Sequence, residues 1–309
     1  MAYDIIGDVH GQAGKLKKLL RRLGYAERNG AWRHSDPRRT AVFVGDYIDR
    51  GPEQVETIEI VRGMVGAGTA RAIMGNHELN AIGFVTRVPG GASGEFFRKH
   101  TPENVHQHAE FLKQVREGST RHKEYIDWFE TLPAYLDLGG IRVVHAWWHP
   151  PHVAVSSSSG GGPGSPTSVS GNAYKRDTAA LKAVKEMSKG LEVDLPAGYT
   201  YTDKDGVVRN NIRVKWWDAA VATYAQAVIG PANEIANVPA IALPEGVPIG
   251  FDSNVPVFIG HYWFKGVPAP LNDRLACVDY SAAIGDRPLV GYRWDGENVL
   301  GKSGFVGSD

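Results

Sequence analysis

Three short motifs rich in acids, amides and imidazoles stand in the first 80 residues, each just after an apolar run. They are Gly7-Asp8-Val9-His10-Gly11, Gly45-Asp46-Tyr47-Ile48-Asp49-Arg50-Gly51 and Gly75-Asn76-His77-Glu78. Carboxylates, imidazoles and a neutral amide oxygen are suitable donors for divalent ions. Asp8 and His10 are two residues apart, so an extended chain points both to one side and both can reach one ion. Asp46 brings a carboxylate with two oxygens, able to bridge two ions at roughly 3.5–4 Å, the spacing used in two-metal hydrolysis. Asn76 offers its amide oxygen to the second ion. This is a kit for holding two cations side by side and acting on a phosphate ester.

The second ion needs imidazoles, and two candidates lie much later. His145 ends the apolar run Val143-Val144, and His261 ends Phe258-Ile259-Gly260. Both repeat the early grammar of an apolar strand with a polar ligand at its tip. The plain alternative for each is an ordinary histidine at a strand edge. His149 competes with His145, which is preferred for its place at the strand end.

The elements that must position these groups are legible in outline. Residues 3–6, 41–44 and 70–74 read as short buried strands. Residues 12–24 read as a helix with Leu16, Leu19, Leu20 and Leu23 on one face and Lys15, Lys17, Lys18, Arg21 and Arg22 on the other. Residues 53–66 form a second helix with Val55, Ile58, Val61, Met64 and Val65 inward. This βαβαβ run carries its chemistry at the carboxyl ends of the strands, where parallel α/β sheets bind ligands. A short helix is expected at 79–83, and further helices at 104–117, 121–131, 173–189 and 218–229. Strands are expected at 134–138, 141–145, 256–260, 275–279 and 289–294. The Ser/Gly/Pro-rich stretch 156–171 reads as a flexible surface loop. Asp203-Lys204-Asp205-Gly206 reads as a polar turn.

The three motifs together resemble the calcineurin-like metallophosphoesterases, and within them the phosphoprotein phosphatase branch. That branch includes serine/threonine phosphatases and bacterial symmetrical diadenosine tetraphosphatases. The resemblance is dense over about 80 residues and sparse at His145 and His261. It implies an α/β fold: a four-layer αββα sandwich of two mixed sheets, one domain over 1–309, with 84–133 as a mostly helical cap. It implies Asp8, His10 and Asp46 on the first metal, and Asp46, Asn76, His145 and His261 on the second. The metals would be two divalent ions, manganese foremost, with iron, zinc, cobalt or nickel also accepted by such donors. His77 would be the general acid, oriented by Asp49, and Arg50 would grip phosphoryl oxygens through its planar fork. Direct attack by a hydroxide held between the ions would follow. Glu78 would prop the motif through hydrogen bonds.

Two departures bear on substrate. Members of this branch usually continue His-Gly-Gly after the first late histidine; here the chain runs His145-Ala146-Trp147-Trp148. Two indoles near the metals could narrow the cleft or stack on a base, or they could pack inward. A second phosphate-gripping arginine is also missing after Trp216-Trp217-Asp218; Arg209, Arg213 and Arg274 are the possible substitutes. Trp147 and Tyr280 join Arg50 and Asn76 as expected substrate contacts. Tyr280 and its neighbour Asp279 have an equal claim as packed ring and turn carboxylate.

The expected activity is a phosphatase acting on phosphomonoesters, phosphoserine and phosphothreonine included. The alternative is a symmetrical bis(5'-nucleosyl)-tetraphosphatase acting on dinucleoside polyphosphates. Cleavage of RNA or cyclic nucleotides finds no support in the charge, since Lys plus Arg equals Asp plus Glu at 34 each. A metal-binding regulator without turnover would need none of His77, Asp49 and Arg50. Neutral balance likewise gives no pull toward nucleic acid or an anionic membrane. The single cysteine, Cys277, permits no intrachain disulfide and sits in a core strand, a poor place for a nucleophile. No apolar signal segment opens the chain and no run is long enough to cross a membrane, so a cytoplasmic enzyme is expected.

Overall fold

A computed structural model describes residues 1–92, 94–158, 178–202 and 206–309. Most of the expected 156–171 loop, the start of the 173–189 helix and Asp203–Asp205 lie outside the described residues. The chain forms two compact units, Met1–Ser188 with Val255–Asp309, and Lys189–Asn254.

The first unit begins with β1 (Ala2–Ile6), α1 (Ala13–Arg22), β2 (Tyr25–Arg28), β3 (Ala31–His34) and β4 (Arg39–Phe43). It continues through α2 (Gln54–Gly66), β5 (Ala70–Ala72), α3 (Asn76–Val85), α4 (Pro102–Val115) and α5 (Thr120–Phe129). Then come β6 (Tyr135–Asp137), β7 (Arg142–Val144), α6 (Pro150–Ser158) and α7 (Thr178–Lys189). The second unit holds β8 (Glu192–Asp194), β9 (Tyr201–Thr202), β10 (Val208–Arg209), β11 (Asn211–Arg213), α8 (Tyr224–Ala227) and α9 (Ala232–Ile235). The chain returns to the first unit with β12 (Val257–Ile259), β13 (Leu275–Cys277), β14 (Val290–Trp294) and β15 (Phe305–Gly307).

This is an α/β sandwich. One mixed sheet runs β15-β14-β1-β4-β5 and another β13-β12-β7-β6. Where two sheets are expected, five are seen among the described residues: the large pair and three two-stranded ribbons. Strand β1 pairs parallel with β4, and β4 with β5, so their carboxyl ends share one edge. Strand β12 pairs parallel with β7 and β13, which sets a second row of carboxyl ends. Ile5, Val42, Val44 and Ile73 from the first sheet meet Val143, Phe258, Ala276 and Val278 from the second in one core. Each large side chain buried there is worth roughly 1.5–3 kcal/mol against exposure.

The helices follow their apolar faces with local adjustments. Helix α1 buries Ala13, Leu16, Leu19 and Leu20, as the leucine spacing requires. On α2 the inward face is Gln54, Thr57, Ile58, Val61 and Met64, while Val55 and Val65 are half-buried. Helix α3 starts at Asn76, three residues before the expected short helix, so Asn76 and His77 occupy its first turn. Thr101 caps α4 by accepting the Asn104 N–H, and Ser119 caps α5 by accepting the His122 N–H.

In the second unit, β8 pairs with β11 and β9 with β10, both antiparallel. The helix expected over 218–229 is not formed there; only Tyr224–Ala227 is helical. Backbone groups of that stretch are committed elsewhere: Thr223 bridges Ala242, Val214 bridges Val228, and the Leu243 N–H donates to Ala222. No helix among the described residues is long and apolar enough to cross a membrane.

Candidate metal centre

The three early motifs leave β1, β4 and β5 at their carboxyl ends and meet there. His10 and Gly11 donate their N–H groups to Asp46 and Tyr47, joining the first motif to the second. Glu78 joins the second to the third. Its Oε1 accepts from Tyr47 N–H at 2.8 Å, and its Oε2 from Gly75 N–H at 3.0 Å. The late histidines arrive from the other sheet: Gly260 N–H donates to His145 O at 2.8 Å, setting the ends of β7 and β12 side by side. His261 N–H then donates to Asp8 Oδ2 at 2.9 Å.

Backbone conformation marks the same place. His10, Asp46, Asp49, Arg50, His261 and Trp263 all have positive φ. That region is uncommon for residues with a Cβ and tends to persist at functional sites. Gly75 and Gly260 are needed because the chain passes so close. A Cβ on Gly75 would lie 2.2 Å from Asp46 Oδ1, and one on Gly260 2.0 Å from Asp8 Oδ1.

Two groups of donor atoms gather around Asp46: His10, Asp46 and His77, and Asp46, His145 and His261, each set within 4.8 Å. Asp46 Oδ2 lies 3.5 Å from His10 Nε2, 3.3 Å from His145 Nε2 and 3.9 Å from His77 Nε2. Asn76 Oδ1 completes the second group, 3.1 Å from His145 Nε2 and 2.8 Å from His261 Nδ1. Asp8 is buried beside them, and its Oδ1 finds no hydrogen-bond partner among the described residues.

The donor set fits divalent ions. His10 donates its Nδ1–H to Ile48 O at 2.8 Å, and His145 its Nδ1–H to Val44 O at 2.7 Å. Each ring therefore turns its Nε2 lone pair inward, and a main-chain partner of this kind fixes a metal-binding tautomer. Burial, then the charges of Arg50 and His77, hold His10 well below its usual range and so neutral. Imidazole nitrogens, a carboxylate and an amide oxygen thus crowd together around Asp46. Only positive charge relieves that arrangement. Burial opposes a proton on His145, yet the Asp46 carboxylate lifts that ring to about 10. A divalent cation would supply the same charge. Asp46 itself stays ionised: burial would raise it, but His145 and His77 hold it well below the usual carboxylate range. Asp8 is pushed well up by burial, then by the neighbouring Asp279 carboxylate.

His77 is backed differently. It donates its Nδ1–H to Asp49 Oδ2 at 2.5 Å, and His108 donates its Nδ1–H to Asp49 Oδ1 at 2.7 Å. Arg50 reaches both His10 Nε2, at 2.6 Å, and His77 Nε2, at 3.3 Å. Its guanidinium lies over the Trp263 ring at 3.4 Å from the centroid.

Other expected residues fall outside this constellation. Trp147 is buried and stacked on His149, and Trp148 packs edge-on against Tyr135. Both indoles are thus packed inward rather than offered as open stacking faces. His149 belongs to neither donor group. The Tyr280 hydroxyl accepts the Ala269 N–H at 3.0 Å, and its ring packs against Phe264 and Phe305. Asp279 spends its two oxygens on the N–H groups of Ser281 and Trp263 and so holds the turn after His261. Arg274 precedes β13, at the end of the sheet opposite the donors, while Arg209 and Arg213 lie in the second unit. Cys277 is buried, and burial with the Asp279 charge pushes its thiol well up.

Sequence reasoning missed three supports. His108 sits 59 residues from Asp49 on a helix whose register is not legible locally. Gln54 accepts the Asp49 N–H and donates to Gly51 O, occupying a position where an apolar side chain is the default. Trp263 follows His261 by two residues, and an aromatic beside a candidate ligand was the available signal.

Comparison with known proteins agrees with this geometry. The family model for calcineurin-like phosphoesterases matches residues 1–186. A protein of Oceanobacillus iheyensis named bis(5'-nucleosyl)-tetraphosphatase PrpE [asymmetrical] is 36% identical over 146 residues, covering 47% of this chain and 55% of that one. The protein of the same name from Bacillus subtilis is 33% identical over 148 residues, covering 47% and 57%. This chain thus spans little more than half the length of these curated relatives. A crystal structure of a point mutant of a cold-active protein tyrosine phosphatase shares the fold, with a TM-score of 0.50 at 14% identity, covering 100% of this chain and 80% of that one. A metal-dependent phosphoesterase active site, built on two donor groups around Asp46, is present, and the chain belongs to the calcineurin-like phosphoesterase family.

Proposed function

We propose that the chain hydrolyses dinucleoside polyphosphates, as a bis(5'-nucleosyl)-tetraphosphatase. The observation that carries this is the likeness of nearly half the chain to relatives of that name. The main expectation from sequence is a phosphomonoesterase, with symmetrical dinucleoside cleavage as its alternative; because those relatives are named asymmetrical, the cleavage proposed here is asymmetrical. Trp263 supports a nucleotide substrate: it sets a half-buried indole beside Arg50, a cation and an aromatic face together at the donor cluster.

In this reading Asp8, His10 and Asp46 hold one ion, and Asp46, Asn76, His145 and His261 the other, with manganese the first metal to supply. Bound there, two divalent ions would screen phosphoryl charge and make water a nucleophile near neutral pH. Arg50 grips the phosphoryl oxygens. His77, held by Asp49, gives a proton to the leaving oxygen. His10 and His145 lean on neutral carbonyls and suit metal ligation, whereas His77 leans on a carboxylate, the kind of partner that orients a proton-transferring imidazole.

That last contrast favours a second reading, a phosphomonoesterase acting on alkyl or aryl esters, phosphoserine and phosphothreonine included. A phosphoanhydride expels a phosphate that needs little protonation, while an ester expels an alcohol that needs a proton. One experiment separates them. Diadenosine tetraphosphate, a phosphoserine peptide and p-nitrophenyl phosphate are compared on manganese-loaded protein, and nucleotide products are resolved. ATP plus AMP in preference to the esters supports asymmetrical hydrolysis. Two ADP restores the symmetrical alternative. Preference for the peptide overturns the dinucleotide assignment.

A further inference from the structure

The Asp49 carboxylate is bound at both oxygens by imidazoles from different helices. One is His77 on α3, and the other is His108 on α4, whose Nδ1–H donates to Oδ1 at 2.7 Å. His108 is buried, and its ring packs against Phe84 and Phe111 at 5.3 and 4.8 Å between centroids. Its Nε2 finds no hydrogen-bond partner among the described residues. The ring is therefore committed to one polar contact, the one with Asp49. A second α4 side chain, Gln114, accepts the Gln54 N–H and donates to Pro52 O, so α4 grips the loop that carries Asp49 in two places.

We infer that His108 is a positioning residue for proton transfer, fixing the Asp49 carboxylate so that its other oxygen holds the His77 ring in line with the leaving group. This rests on the assignment of His77 as proton donor. A carboxylate held at one oxygen can turn about its Cβ–Cγ bond and carry its partner with it. Held at both, it cannot turn without breaking two buried hydrogen bonds. The backbone of Asp49 is fixed as well, through its N–H to Gln54 Oε1 at 2.7 Å. His108 is buried and belongs to neither donor group, so its effect passes through Asp49. The segment between α3 and β6 thereby joins the chemistry by holding the partner of the acid.

The test uses metal-loaded full-length protein and aryl phosphates graded in leaving-group acidity. Two variants separate the donor from the ring: H108F keeps an aromatic ring without the N–H, and H108N keeps an N–H at the position of Nδ1 without the ring. H108L is a second donor-free variant should H108F not fold. The readout is the slope of log kcat against leaving-group pKa, with H77N beside it. A lost general acid costs roughly 10²-fold or more with poor leaving groups. We expect H77N to steepen the slope fully. H108F should steepen it in part, with phenyl phosphate losing about ten-fold more than p-nitrophenyl phosphate, a fraction of the full acid effect. H108N should keep the wild-type slope. An equal loss on every ester in H108F, with the slope unchanged, overturns the inference and leaves His108 as packing. So does a slope that follows the ring, steep in H108N and shallow in H108F. An unchanged slope in H77N removes the general acid, and His108's role falls with it. A steep slope in H77N beside a wild-type slope in H108F removes His108 alone.

Discussion

Glu78 Oε2 accepts the backbone N–H of Asp46 at 2.9 Å, across 32 residues of chain. The same side chain also accepts N–H groups from Gly75, Tyr47 and Ile48. A glutamine can turn only one oxygen toward these donors and must face the rest with an amide NH2. E78Q should therefore lose about 2 kcal/mol or more of stability, the cost of buried polar groups left unmatched. Urea unfolding of metal-free protein checks it. A loss under about 0.5 kcal/mol, as for an ordinary surface change, would show that the carboxylate does not organise the turn.

Gly75 should tolerate no side chain. A Cβ there meets the backbone N of Asp46 at 2.3 Å, and neither partner can yield without moving the donor cluster. G75A should cost about 1–3 kcal/mol through overpacking and weaken metal retention with it. G66A, at the end of α2 with open space around its Cβ, is the control. It should stabilise by up to about 1 kcal/mol through backbone entropy. Equal melting temperatures for the two variants would contradict this.

Asp46 is the member common to both donor groups. Its replacement by asparagine should lower bound manganese from about two ions per chain to one or fewer, the bridging carboxylate being what two neighbouring ions share. Elemental analysis after gel filtration gives the count. Chelation of wild-type protein should lower its melting temperature toward that of D46N, because a ligand bound only by the folded state stabilises it. Two ions retained in D46N would remove the bridge.

Asp49 sets an acid limb of stability. Burial alone would raise its carboxyl, but the His108 and His77 hydrogen bonds hold it well below the usual range. A folded-state pKa below the unfolded value of about 3.9 gives stability that is fully present above that value. It is lost as pH falls through the lower, folded-state pKa. In chelator, the stability gap between wild type and D49N should narrow as pH falls below about 4. A gap that does not narrow below that pH would mean that Asp49 is not held ionised.

Much of the centre was legible because its first half is contiguous. Asp8, His10, Asp46 and Asn76 each follow an apolar strand closely, and parallel pairing of β1, β4 and β5 brings the tips together. His145 and His261 obey the same rule, so strand-tip position found them at distances of 69 and 185 residues from Asn76. His108 could not be found this way. It depends on where α4 packs, and helical periodicity does not say which buried position faces a carboxylate. The β2–β3 hairpin was legible yet went unassigned: Asn29-Gly30 carries positive φ at both residues, which a two-residue turn between twisted strands demands. The 218–229 segment failed for the opposite reason. Its alanines favour a helix, but Ala222 and Thr223 form backbone links to Leu243 and Ala242, and such tertiary partners override propensity.

The bond from His261 N–H to Asp8 Oδ2 closes a span of 253 residues. A growing polypeptide therefore exposes the first ligands long before the last exist. Ions met during synthesis would find only half a cage, with carboxylates and imidazoles open to any cation the cell offers. The complete set of proposed donors can assemble only after translation has passed residue 261.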